Sequence, residues 1–120
     1  MTGEAPTYEG EALAVLAFEL SASQRSETER KIKRRLRDKK LGAYDPSRIE
    51  AIRTFKNDVL AELSKASRSK FWLQTHGPYA DSQDWDVDGL QHHFEAKHLH
   101  VPKAAIGRFL PYAIYLYYLR

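Results

Sequence analysis

The chain of 120 residues contains no cysteine, so disulfides, thiolate metal sites and cysteine nucleophiles are excluded. Their absence fits a reducing, cytoplasmic compartment. No apolar run reaches the roughly 20 residues a membrane-spanning helix needs. The aromatic segment from Phe109 to Leu119 is about half that length and is interrupted by Pro111. Met1 to Tyr8 carry no basic residue, and Glu19 breaks the apolar run from Ala12 to Leu20, so no signal peptide is expected. No glycine-rich phosphate loop, serine nucleophile elbow or recognisable pair of catalytic carboxylates is present, and the chain reads as non-enzymatic. Internal repeats and low-complexity segments are also missing.

What is present is an ordinary globular composition, 42% hydrophobic and 29% charged, at a length suited to one domain. The net charge of +3 conceals a division along the chain. Residues 1–22 hold four acids and no Lys or Arg, whereas residues 23–72 hold fifteen bases against seven acids. Residues 73–100 are acidic again, and three further bases close the chain.

Helical spacing predicts an all-α fold, a small irregular bundle of four or five helices. Leu13, Leu16, Ala17 and Leu20 share one face of a helix over 11–20. Ser26 and Glu29 match a capping box that opens a helix running to about Leu41, with Gly42 as its stop. Asp45 and Pro46 open a third, where Ile49, Ile52, Phe55, Val59, Leu60, Leu63 and Ala66 form a broad apolar face out to about residue 70. A Gly-, Pro- and Asp-rich loop is expected over 75–89, then a short helix from Asp88 to His98 with Leu90 and Phe94 turned inward. A final helix beginning at Pro102 and kinked or restarted at Pro111 completes the chain. Residues 1–10 are expected to be flexible.

The strongest functional signal is the second helix. Ile32, Leu36 and Leu41 give it only a thin apolar stripe, and Arg30, Lys31, Lys33, Arg34, Arg35, Arg37, Lys39 and Lys40 fill most of the rest. Several cations on one exposed surface are what phosphate binding requires, which points to nucleic acid through backbone contacts rather than base readout. Arg48, Arg53, Lys56, Lys65, Arg68 and Lys70 extend the pattern, with Phe71 or Trp72 as bases' stacking partners. An acidic protein partner would suit the same cations, and a merely solvated face paired with Glu27, Glu29 and Asp38 is the plain alternative. A helix-turn-helix reader fits poorly, because the more basic helix comes first.

Asp84, Asp86 and Asp88 alternate along the chain, followed by Gly89 and, six residues later, Glu95. This run of twelve residues resembles the calcium-binding loop of the EF-hand family. The resemblance implies that Asp84, Asp86, Asp88 and Glu95 converge on one cation while Gly89 makes the sharp turn. Gln91, Trp85 and Val87 depart from the family pattern, Gly77 and Pro78 spoil the preceding helix, and no second loop is present. Otherwise Asp86 or Asp88 caps the next helix, and no cofactor is expected. His92, His93, His98 and His100 cluster nearby, and Glu95 with His98 has the spacing of one half of a di-iron site, without the second half. Tyr112, Tyr115, Tyr117 and Tyr118 suit either an outer core layer or a homodimer seam.

Overall fold

The computed structural model describes residues 6–73 and 82–119. Residues 1–5 of the segment expected to be flexible and 75–81 of the expected loop therefore lie outside the described residues. Among those described the fold is all-α, with helices α1 (Tyr8–Leu16), α2 (Arg25–Asp38), α3 (Pro46–Ser64), α4 (Val87–Lys97) and α5 (Lys103–Ile114). Short 3-10 turns, a π turn over Tyr115–Leu119 and one isolated antiparallel bridge, Trp72 to Trp85, make up the remaining regular structure among the described residues. The chain divides into two compact units, residues 1–56 and 57–120, with α3 contributing to both.

In the first unit α1 packs against α2. Thr7 caps α1 by accepting from the Gly10 amide, so this helix starts earlier than its apolar pattern indicates and ends at Leu16. Leu13, Leu16 and Ala17 are buried as expected; Leu20, placed on the same face by helical spacing, lies beyond the helix and is exposed. The capping box belongs to Ser21 and Gln24 rather than to Ser26 and Glu29. The Gln24 side-chain oxygen accepts from the backbone amides of Leu20 and Ser21, and a 3-10 turn over Ala22–Gln24 runs into α2. Glu29 is left to pair with Lys33.

α2 buries only Thr28, Ile32 and Leu36. It ends in a Schellman arrangement: the Leu41 amide donates to the Leu36 carbonyl, and the Lys40 amide to the Arg37 carbonyl. Lys40, not Gly42, takes the left-handed conformation this closure needs, with φ of 58°. Asp45 then caps α3, its carboxylate accepting from the Ser47 and Arg48 amides, with Pro46 at the first position. The buried Tyr8 hydroxyl ties this junction to α1, donating to the Ala43 carbonyl and accepting from the Asp45 amide. Ile49, Ile52 and Phe55 are fully buried, as their spacing predicts.

In the second unit Val59 and Leu63 continue that face. α3 stops at Ser64, short of residue 70, because the chain turns through Ala66 at a positive φ of 49°. Asp86 caps α4, accepting from the Gly89 amide, and Leu90 and Phe94 are buried. α4 packs on α5, and Gly107 lets the helices approach closely, since a Cβ there would lie 3.2 Å from Gln91. α5 continues through Pro111 and widens into a π turn over Tyr115–Leu119.

Candidate nucleic-acid interface

All eight predicted cations of α2 are exposed. With only Thr28, Ile32 and Leu36 inward, the helical period of 3.6 residues places Arg30, Lys33, Arg34 and Arg37 on the opposite, outermost face. These four, with Ser26 and Glu29, line one shallow depression of about 470 Å³. Lys31 and Arg35 flank it, and Lys39 and Lys40 stand at the helix end.

The cations differ in how far they are neutralised. Lys33 pairs with Glu29 at 2.8 Å, Lys31 with Glu27 at 3.0 Å, Arg35 with Glu11 at 2.9 Å and Arg37 with Asp38 at 3.5 Å. The hydrogen bond from Lys31 holds the Glu27 carboxyl below its ordinary range, and the bond to Glu29 raises the Lys33 ammonium. Such exposed pairs are screened by water and salt, contribute little to stability, and yield to a competing phosphate. Arg30, Arg34, Lys39 and Lys40 have no ion pair with any described residue.

The cations expected to extend this surface from α3 have other roles. Arg53 is buried, donating to both carboxylate oxygens of Glu19 at 2.6 and 3.1 Å and also to Glu50. Lys56 is buried too and donates to the Glu19 carbonyl at 2.6 Å. Burial pushes the Glu19 carboxyl up, but hydrogen bonds from Arg53 and Thr28 and the nearby positive charges outweigh it and leave the carboxyl below its ordinary value. Burial lowers the Lys56 ammonium. Arg48 lies over the Tyr8 ring at 3.8 Å and donates to the buried Glu9. A signal for this was available: Arg53 and Lys56 fall three and four residues from Ile49, Ile52 and Val59, on the helix's inward face. Their partner Glu19 is 34 residues from Arg53, where no local pattern could find it.

In the second unit Lys65 pairs with Glu62, while Arg68 and Lys70 are exposed. Phe71 is buried against His93, which removes it as a stacking partner; Trp72 is half-buried and bonds the Tyr118 hydroxyl.

The acidic run is not arranged as its resemblance implies. α4 begins at Val87, the fourth of the twelve residues, so Asp88, Gly89 and Gln91 are already helical. Asp84 is buried and accepts from the Tyr118 hydroxyl at 2.7 Å, Asp86 caps α4, Asp88 is exposed in its first turn, and Glu95 accepts from Gln91. Among the described residues no three His, Asp or Glu side chains are grouped to hold a metal ion. His98 bonds Asp58 at 2.7 Å rather than standing with Glu95, and His92 and His100 are exposed. Tyr118 packs edge-on against Trp85, and Tyr112 and Tyr115 are exposed. Burial, with a smaller contribution from Tyr112, pushes the Tyr117 hydroxyl up to about 12.

One residue on the flank of α2 carried no sequence signal beyond its absence from the apolar face of α1. Phe18, 51% exposed, lines a small hollow with Val15, Gln24, Glu27, Thr28 and Lys31. Among the described residues no helix is long and apolar enough to cross a membrane. Comparison of the chain with protein-family models, with curated proteins and with solved structures finds no match.

Proposed function

We propose that this protein binds nucleic acid without catalysing a reaction, and that α2 holds the phosphate backbone electrostatically. The observation that supports this is the outer face of α2: Arg30, Lys33, Arg34 and Arg37 surround one depression, and Arg30 and Arg34 have no ion pair among the described residues. Arg30 and Arg34 are one turn apart, about 6 Å along the axis at 1.5 Å per residue, which suits neighbouring phosphates of one strand. Guanidinium groups meet phosphate oxygens two at a time, so three arginines among the four cations favour this ligand over a simple counter-charge.

Four engaged phosphates give a salt slope near −3.6 on duplex DNA, or about a 150-fold loss of affinity between about 50 and 200 mM salt. Binding of fluorescent oligonucleotides across that range tests it. Arg30→Ala and Arg34→Ala should each weaken binding and flatten the slope by about one phosphate. Unchanged binding by the double variant refutes the assignment to α2, and a wild-type protein that ignores DNA and RNA even at low salt refutes the function.

A further inference from the structure

The turns that follow α2 and α3 each hold a non-glycine residue in the left-handed conformation, Lys40 with φ of 58° and Ala66 with φ of 49°. They use their amides differently. After α2, the Lys40 and Leu41 amides donate to the Arg37 and Leu36 carbonyls, so the helix satisfies its own end. After α3, Lys65 is right-handed, with φ of −70° and ψ of −23°, and Ala66 left-handed, the succession that turns neighbouring amides toward one concavity. The Ala66 and Ser67 amides meet no acceptor among the described residues. Around them the Arg68 and Ser69 amides donate to the Lys65 and Ala66 carbonyls, each at 3.0 Å, which fixes the turn about two unused donors. A side chain disfavours the left-handed conformation, and here no helix-closing bond offsets that.

Cations accompany these donors. Lys65, Arg68 and Lys70 are exposed within six residues. Lys65 pairs with Glu62 at 3.0 Å, and Glu62 also accepts from the buried Ser69 hydroxyl, so that carboxylate is already engaged. Arg68 and Lys70 have no ion pair with any described residue; Lys70 lies 5.2 Å from the centre of the Phe71 ring. Three cations against one carboxylate leave residues 62–70 with a net charge of +2, which opposes the negative end of the α3 dipole.

We propose that the turn over residues 65–70 binds a phosphoryl group, with the Ala66 and Ser67 amides donating to its oxygens and Arg68 and Lys70 supplying the opposite charge. Fixed backbone donors in a concavity, joined by charged donors on side chains, suit a tetrahedral oxyanion. The site lies in the second unit and uses no residue of α2, so it stands or falls apart from the function proposed above.

The test is a titration of the isotopically labelled full chain with sodium phosphate at constant ionic strength, read amide by amide by NMR. The Ala66 and Ser67 amide protons should move downfield and saturate. Arg68→Ala should weaken the apparent Kd about 10-fold, the lower end for a hydrogen bond to a charged group, and adding Lys70→Ala should weaken it further. Ala66→Gly keeps the left-handed turn and should leave affinity unchanged, as should Arg30→Ala with Arg34→Ala. A second arm replaces phosphate with oligothymidylate. Shifts of the same two amides with the oligonucleotide assign the nucleic-acid backbone as the source of the phosphoryl group, and shifts with inorganic phosphate alone assign a small phosphorylated ligand; either upholds the site. Ala66 and Ser67 amides that stay in place in both arms, shifts that spread over the lysines and arginines without saturating, or affinity unchanged in the Arg68→Ala, Lys70→Ala double variant overturn it.

Discussion

Arg53→Ala should be among the most damaging single substitutions in the first unit. The Arg53 and Glu19 side chains are 8% and 4% exposed, and two hydrogen bonds join them. Removing the guanidinium leaves a buried carboxylate without its main partner, a change that costs about 3–5 kcal/mol in comparable pairs. Thr28 still bonds Glu19 and the Lys56 charge remains near, so the lower end, about 3 kcal/mol, is expected. The bond to Glu50 adds little, because that carboxylate is half exposed. Urea denaturation at neutral pH, followed by circular dichroism, measures the loss. Glu19→Gln combined with Arg53→Met should cost less than the two single changes together, since neither charge is then stranded. The pH dependence has a definite sign. Glu19 has a lower pKa folded than unfolded, so its contribution is present above its unfolded value and is lost as pH falls through the folded one. Arg53→Ala should shrink that acid-limb loss. A cost below about 1 kcal/mol, or additive single and double effects, would refute the buried-pair account.

Four further outcomes follow from local structure. Lys40→Gly should stabilise by roughly 0.5–1 kcal/mol, since glycine takes the left-handed conformation at α2's end without a Cβ penalty; a lowered melting temperature would count against the Schellman assignment. Asp86→Ala should cost about 1 kcal/mol as a lost cap. Gly89→Ala should not deliver the usual helix gain of about 1 kcal/mol, because the new methyl would lie 2.3 Å from the Asp86 carboxylate; the gain should return in the Asp86→Ala background, and additivity in this cycle would exclude the clash. In an alkaline titration of phenolate absorbance, one tyrosine should ionise near pH 12 and Tyr117→Phe should abolish that step; its persistence would place the late ionisation elsewhere.

The all-α class, the Asp45–Pro46 helix start and the buried face of α3 were legible because each is encoded within a few neighbouring residues. The start of α2 was misplaced: Ser26 with Glu29 matches a capping box in sequence, but the box forms between Ser21 and Gln24, and Glu29 pairs with Lys33 instead. The end of α2 was misjudged because Gly42 is the better left-handed residue, yet the Leu41-to-Leu36 closure puts Lys40 in that position. Counting charge along the chain located the exposed cations of α2. It could not separate them from Arg53 and Lys56, whose roles depend on a glutamate far away in sequence.

In the first unit, Glu9, Glu11 and Glu19 each engage an arginine from beyond α1, respectively Arg48, Arg35 and Arg53. Opposite charges that meet in the folded unit are segregated along the chain, which makes the unfolded polypeptide a block polyampholyte. Its acidic first block and basic second block attract one another before any helix has formed. The denatured ensemble should therefore contract at low ionic strength and swell as salt screens the blocks. Salt would thus act on both ends of the folding equilibrium, and the electrostatic stability measured for this protein is a difference between an ordered pairing and a fluctuating one.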